Sequence, residues 1–251
     1  MSRAVLLEDM TWLEAEQALK PDTVVVIPLG AAAKEHGPHL KLKNDWTIAE
    51  YLKEKVAQAL PGRAVVVPTV PYFFYPAFVD YPGSVTLSQQ TSTDLIKDIC
   101  LSLSTFGPKR FYVINTGIST VKALRPAQQQ LAAHGILLRF TDLEATIAGT
   151  VRQVSEQEGG SHADEIETSM MLYMAPQDVR MDKAVKDFDK SGSGKLSRQR
   201  SGGLTYSPTG IWGDATLATA EKGERVVQSL IAGVLNDIEE LRQATCPATS
   251  D

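Results

Sequence analysis

The chain has 251 residues, and its hydrophobic fraction of 43% and charged fraction of 22% are ordinary for a globular protein. A net charge of -5 and a pI near 5.5 argue against partners such as nucleic acid or an anionic membrane surface. Two cysteines, Cys100 and Cys246, provide neither a disulfide framework nor a thiolate metal site. No apolar run approaches the ~20 residues of a membrane span, so we expect a cytoplasmic protein.

Apolar runs of strand length alternate with amphipathic stretches along the chain. The apolar runs are rich in Val, Ile and Leu without strict alternation, which is typical of strands buried on both faces. This order indicates a mostly parallel sheet with helices on both sides, that is, an α/β protein. The predicted strands are 24–27, 64–67, 111–115 and 136–140, and the predicted helices are 11–19, 46–60, 91–106, 120–133, 143–156, 164–173 and 217–244.

Two stretches break this pattern. Residues 68–88 contain four prolines and six aromatic side chains, among them Tyr81. Such a segment cannot form a regular helix, and we expect it to wall a pocket or cover a subunit contact. Residues 186–213 are rich in Ser, Gly, Arg and Lys and are expected to form a mobile surface loop. Neither stretch indicates a domain boundary, so the prediction is one domain over 1–251.

Ionisable side chains are concentrated just after the first predicted buried strand. Glu35, His36 and Asp45 lie in the segment that connects it to the next helix, with a turn expected at Gly37 and Pro38. An imidazole and a carboxylate brought together by such a turn can hold one divalent ion, with Glu35 as a possible third ligand and a position left open for water. The alternative is a plain strand-to-helix turn, in which the histidines bond the backbone and Asp45 caps the helix.

The same segment resembles the signature of the creatininase (creatinine amidohydrolase) family, which reads close to Pro-x-Gly-Ser-x-Glu-Gln-His-Gly-Pro-His-Leu with a later Asp. The match is good over 36–40 and at Asp45. In the family, a Glu-x-His pair and the Asp bind a two-metal centre. Aligned on His36, the family Glu falls on Lys34, and one extra residue follows Gly30. Either Glu35 replaces the family Glu, or the Lys34 ammonium lies where one metal would have been.

A second loop of metal ligands in the family reads close to Asn-Gly-His-x-Glu-Asn. The corresponding segment here is 115–120, where the His position is Gly117 and the acidic position is Ser119. No ligand remains in this loop, so the resemblance implies one ion rather than two. Ser119 and Thr120 could bind substrate through their hydroxyls, but we favour a helix cap, the commoner role of these residue types.

Two further segments extend the resemblance. Residues 160–169 match the family's His-Ala-x-x-x-Glu-Thr-Ser, which makes His162 the candidate general acid/base and Glu167 a residue that orients a ligand or takes a proton. Asp164 is interpreted as a favourable acidic residue in the first helical turn. Residues 210–223 are similar to the family's late Gly-rich segment, so the resemblance runs in order from about 23 to 235.

The resemblance implies a three-layer α/β/α fold, a homo-oligomer (typically a hexamer), and metal-dependent hydrolysis of a C–N bond, such as that of a cyclic amide, in a small-molecule substrate. Zinc or manganese is the expected ion. The alternatives are a metal-free protein of this fold that binds a small polar ligand, with Lys34 replacing a metal charge, and a partner-binding module built on a degenerate enzyme. The expected site residues are His36, Asp45 and Glu35 for the metal, His162 and Glu167 for catalysis, and Lys34, Ser119 and Tyr81 for the substrate.

Overall fold

The central element is a five-stranded parallel sheet. A computed structural model of the chain describes residues 4–60, 64–192, 194–200 and 204–249. The strand order is β1-β3-β2-β4-β5, and every neighbouring pair runs parallel, which confirms the sheet predicted from the sequence. The strands are β1 Val5–Leu6, β2 Val24–Leu29, β3 Ala64–Val66, β4 Arg110–Asn115 and β5 Leu137–Phe140.

Seven α-helices are described, and side-chain caps fix where several of them begin. Ser88 accepts a hydrogen bond from the Thr91 N–H, so α3 begins two residues before the predicted start at Thr91. Residues 215–217 form a separate 3₁₀ turn, and α7 begins after the Thr219 cap. The helices are α1 Trp12–Ala18, α2 Asn44–Ala59, α3 Gln89–Ser104, α4 Val121–Ala132, α5 Leu143–Val154, α6 Glu165–Met174 and α7 Ala220–Gln243.

Alternate residues of the central strands contribute side chains to two separate apolar cores. Val24 and Val26 of β2 pack on one face of the sheet with side chains of α2, α5, α6 and α7. Val25 and Ile27 of the same strand pack on the other face with side chains of α3 and α4. All four are fully buried, as strands covered on both faces must be. The molecule is therefore a three-layer α/β/α protein, and no helix among its described residues is long and apolar enough to cross a membrane.

The two irregular stretches have different structures. Residues 68–88 contain only a short 3₁₀ turn, Pro76–Phe78, and their aromatic rings mostly pack on the α3–α4 side of the sheet. The sequence analysis expected a mobile surface loop at 186–213, whereas the described parts of this stretch form short paired strands. They are β6 Lys186–Asp187 with β9 Gly213–Asp214, and β7 Leu196–Ser197 with β8 Thr205–Tyr206. Part of that loop prediction, at 193 and 201–203, lies outside the described residues.

The ionisable residues singled out above lie at the carboxyl edge of the sheet. β2 ends at Leu29 and β4 ends at Asn115, and these two strands are paired along their whole length. The connection from β2 to α2 and the start of α6 meet beside these ends. In open α/β sheets this edge is where ligands bind, because the loops that follow the strands form a crevice there.

Candidate active site

The segment that follows β2 folds back on itself and is tied down by backbone hydrogen bonds. The Lys34 N–H donates to the Leu42 carbonyl, and the Trp46 N–H donates to the Ala31 carbonyl. This brings Lys34 and His36 against Asp45, which lies in the first turn of α2, and all three side chains are buried. The turn predicted from the sequence thus forms, and its polar groups face inward.

Asp45 is shared between two cations. Its Oδ1 lies 2.7 Å from His36 Nε2, and its Oδ2 lies 2.7 Å from Lys34 Nζ. Burial opposes charge on all three groups, but their mutual attraction outweighs it. The pKa of Asp45 is therefore lowered, the pKa of Lys34 is raised, and the pKa of His36 is raised to about 9. The ammonium thus binds the carboxylate on which a metal ion was expected.

His162 is held on the opposite side of the cluster. Backbone hydrogen bonds with Trp212 fix its main chain, and the next residue, Ala163, has a φ of 49°, which is rare for a residue with a side chain. The ring stacks on Phe78 with centroids 4.1 Å apart. Its Nε2 donates to Glu35, with distances of 2.8 Å to Oε1 and 3.1 Å to the backbone oxygen. The other ring nitrogen, Nδ1, is left facing Glu167 Oε2 at 3.8 Å.

Glu35 is fixed at both carboxylate oxygens. Oε1 accepts from His162, and Oε2 accepts from the Gly37 N–H at 2.9 Å. Gly210 packs directly against this carboxylate, since a Cβ added there would lie 2.1 Å from Oε2. The position of Gly210 also has a φ of 79°, which favours glycine. The structure therefore pairs Glu35 with His162, and its carboxylate does not join His36 and Asp45 around one point.

Glu167 completes the cluster from the first turn of α6. Asp164, interpreted from the sequence as an acid within the first helical turn, directly precedes α6 and caps it by accepting from the backbone N–H groups of Ile166 and Glu167. Oε2 of Glu167 accepts from the Ala163 N–H at 2.7 Å, and Oε1 lies 3.4 Å from His36 Nε2. Burial opposes ionisation here too, but His36 and His162 outweigh it, so the pKa of Glu167 is lowered.

His36, His162 and Glu167 form a three-donor set. Their ligand atoms all lie within 4.8 Å of one another, and this is the candidate metal group found among the described residues. Each histidine has its remaining ring nitrogen tied to an acceptor: Nδ1 of His36 donates to the Lys34 carbonyl at 2.9 Å, and Nε2 of His162 donates to Glu35. Such outer hydrogen bonds fix the tautomer in metal-binding histidines. Two imidazoles and a carboxylate suit zinc or manganese, so this set could hold a divalent ion once His36 Nε2 loses the proton that it donates to Asp45 Oδ1 at 2.7 Å.

A cavity of about 640 Å³ opens over this cluster. That volume suits a small molecule or a short peptide segment. Its lining includes cluster residues, polar groups and apolar walls, such as Lys34, Phe78, Ser119, His162, Glu167 and Trp212.

The hydroxyls predicted to cap α4 do something else. Ser119 donates to the Phe74 carbonyl at 3.1 Å, and Thr120 donates to Asn115 Oδ1 and to the Gly117 carbonyl. Because α4 has no side-chain cap, that interpretation is wrong. Ser119 does line the cavity. Tyr81 is not among the lining residues, and its hydroxyl donates to the Ser207 carbonyl at 2.7 Å.

Two contributors to the site were not identified from the sequence: Asn44 donates to Glu167 Oε1 at 3.3 Å, and Trp212 walls the cavity and holds the His162 backbone. Phe78, which packs on the His162 ring, lies in the aromatic stretch 68–88 that was expected to wall a pocket. Asn44 precedes Asp45 directly, so its position beside the predicted ligand was an available signal. Nothing in the local sequence around Trp212 indicates a partner some fifty residues earlier in the chain.

Comparison with known proteins identifies the family to which this chain belongs. The family model described as "Creatininase: Creatinine amidohydrolase" matches residues 8–238. The chain belongs to the creatininase family. The mycofactocin precursor peptide peptidase of Mycolicibacterium smegmatis is 32% identical over 86% of this chain and 84% of that protein. The creatinine amidohydrolase of Pseudomonas putida is 26% identical over 96% of this chain and 98% of that protein.

Solved structures agree on the creatininase fold. A crystal structure of creatinine amidohydrolase superposes with a TM-score of 0.80 at 22% identity, covering 97% of this chain and 100% of that one. Other solved creatininases of similar likeness include a manganese form and a zinc–zinc form. By their names the two relatives described above are hydrolases, and the two solved creatininases just mentioned are zinc and manganese forms. In this chain Lys34 Nζ lies 2.7 Å from Asp45 Oδ2, and the loop at Gly117 and Ser119 contains no imidazole or carboxylate.

Proposed function

We propose that this protein is a hydrolase that cleaves a C–N bond of a small amide and binds a single zinc or manganese ion through His36, His162 and Glu167. One observation carries the proposal. These three donors converge beneath a cavity of about 640 Å³, and both imidazoles have their other nitrogen already engaged. Of these three ligands, His36 was already expected from the sequence to bind the metal. His162 and Glu167 were expected from the sequence to act in catalysis.

The ion, when bound, supplies a Lewis acid that polarises the carbonyl and makes bound water more acidic. The chain's own residues supply the surroundings. Glu35 orients His162, the Lys34 carbonyl orients His36, and the Lys34 ammonium adds a positive charge to the cavity lining. A buried cation in such a position stabilises negative charge that develops on a carbonyl oxygen. Phe78 and Trp212 form part of the cavity wall.

Metal loading and amide hydrolysis test this proposal together. We expect protein stripped with a chelator to bind close to one Zn²⁺ or Mn²⁺ per chain, measured by calorimetry and by metal analysis. We expect the loaded protein to hydrolyse creatinine or simple aliphatic amides, measured as product release. His36→Ala should lose most of the ion binding and the activity. His134→Ala, at an exposed histidine outside the site, is the matched control and should retain both. Full activity in metal-free protein would rule out this mechanism.

The Lys34–Asp45 ion pair favours a second candidate, a metal-free site of the same fold. In that case Glu35 and His162 form an orienting pair, His162 Nδ1 can accept a proton from water, and Lys34 supplies the positive charge. The 2.7 Å contact between Lys34 and Asp45 is the observation in its favour. The cavity and its small polar ligand would be the same in both candidates.

Lys34→Met separates the two candidates, because it removes the charge and keeps most of the side-chain volume. With a resident ion, loss of a nearby like charge should tighten Zn²⁺ binding, by roughly tenfold if the effective dielectric is high. If the native site holds no ion, the Lys34→Met variant should lose activity, and added metal should not restore it. Zinc affinity and activity measured on the same preparations decide between these results.

A further inference from the structure

A second cavity, of about 310 Å³, opens beside the first. The two share Glu167 and five other lining residues: Thr116, Ile118, Leu143, Glu144 and Ser161. The first cavity covers the ionisable cluster. The second extends away from it, between α2, α5 and α6. The two cavities are therefore adjoining compartments that share a wall formed by Glu167 and these five residues.

The walls of this side cavity are largely apolar. Ile48 comes from α2, Ile147 and Val151 come from α5, and Ile166 and Met170 come from α6. Charged groups are few: Glu144 and Arg152 are exposed at the surface, Asp164 is engaged as the cap of α6, and Glu167 stands at the junction. A polar or strongly hydrated group would lose its water here without gaining many partners, whereas an apolar group would gain by leaving water.

We propose that the side cavity binds an aliphatic or aromatic substituent of the amide substrate while the scissile bond lies over His36, His162 and Glu167. This rests on the proposed function and narrows the substrate class to amides that carry an apolar group. The continuity of the two cavities favours a part of the substrate as the occupant. A separate macromolecule docked on the surface would have no need to reach Glu167, whose side chain is only 17% exposed.

A pair of amides of different size tests this. Acetamide has no side chain long enough to extend from the scissile bond into the second cavity, whereas isovaleramide adds a branched aliphatic chain that can enter it. Each buried methylene is worth roughly a fourfold change, so we expect kcat/KM and binding to favour isovaleramide by at least about tenfold. Equal values for the two amides in the unaltered protein would overturn the proposal.

Two substitutions on α5 sharpen the test. Ala148 lines the side cavity, whereas Ala145 is exposed on the same helix and does not line it. Ala148→Phe should abolish the preference for isovaleramide and leave acetamide binding within about twofold, while Ala145→Phe should keep the preference. A preference that survives Ala148→Phe counts against the side cavity.

Binding measured by calorimetry or by saturation-transfer NMR keeps this inference separate from the proposed function. If isovaleramide binds selectively but neither amide is hydrolysed, the side cavity stands and the hydrolytic proposal fails. If both are hydrolysed at equal efficiency and bound equally, the hydrolytic proposal stands and the side cavity fails as a subsite.

Discussion

Lys34 and Glu35 are neighbours in the chain, yet their side chains serve opposite ends of the cluster. The ammonium of Lys34 binds Asp45 and lies 4.9 Å from the Phe78 ring centroid. The carboxylate of Glu35 binds His162. One residue therefore supplies positive charge where the family's acidic ligand falls in alignment, and the next residue supplies a carboxylate that acts on a histidine.

Glu35→Gln tests whether that carboxylate positions His162. The amide keeps the size of the side chain but weakens the charge-assisted hydrogen bond to Nε2. We expect kcat to fall by roughly 10- to 100-fold, as for other groups that orient a metal-binding or proton-carrying histidine, with KM nearly unchanged. In the unaltered protein we expect ¹⁵N NMR to find His162 protonated at Nε2, and the variant should lose this fixed tautomer.

The chain's small number of histidines makes that measurement practical, because there are only four to assign. Glu239→Gln, the same substitution at an exposed position of α7, is the control and should leave activity and tautomer unchanged. A Glu35→Gln variant with unaltered kcat and an unaltered His162 spectrum would contradict a positioning role. Rescue by Glu35→Asp would support one.

At the scale of elements, α6 delivers Glu167 to the site, and α7 holds α6 in place. The Ser169 hydroxyl accepts from the Thr219 N–H at the start of α7. Lys222 Nζ reaches Glu165 Oε1 at 2.5 Å across the same contact. Gly223 allows the two helices to approach closely, because a Cβ there would lie 1.9 Å from the Ser169 carbonyl oxygen.

Gly223→Ala should therefore destabilise the protein, since neither helix backbone can move without disturbing the core between them. We expect a loss of about 2–4 kcal/mol in the free energy of unfolding, measured by urea denaturation. Gly149→Ala is the matched control on α5, where an added Cβ meets nothing within 4 Å. It should stabilise the protein by about 0.5–1 kcal/mol through helix propensity. A Gly223→Ala variant as stable as the unaltered protein would contradict this account of the helix contact.

The elements that the sequence predicts best are those whose pattern is local. A continuous apolar run predicts the strand at 24–27, and the amphipathic pattern predicts the helix at 164–173, which agrees with α6 within one residue at each end. The directions of Lys34 and Glu35 could not be predicted, because an irregular loop has no period that assigns side chains to a face. The sequence alone shows that Gly117 and Ser119 stand where the family has metal ligands. It does not show which hydrogen bonds these two residues make.

At the scale of the whole molecule, the site joins segments that lie far apart in the chain. His36 lies in the connection after β2, whereas His162 and Glu167 lie at the start of α6, more than 120 residues later. A ligand that bridges them adds a long-range tie between these parts of the fold. The unfolded chain lacks that arrangement of donors, so binding free energy becomes stability.

Thermal unfolding with and without zinc should therefore report the ion directly. A free ion concentration of 100 times the dissociation constant adds about 2.7 kcal/mol to the free energy of unfolding. For a chain of this length that corresponds to a rise in Tm of roughly 5–10 °C. His134→Ala should show the same rise, and His36→Ala should show little or none, because it lacks one of the three donors. Identical melting of stripped and loaded protein, across a range of zinc concentrations, would show that the native state binds no ion. The Lys34 ammonium, paired with Asp45, would then be the positive charge that acts in the site.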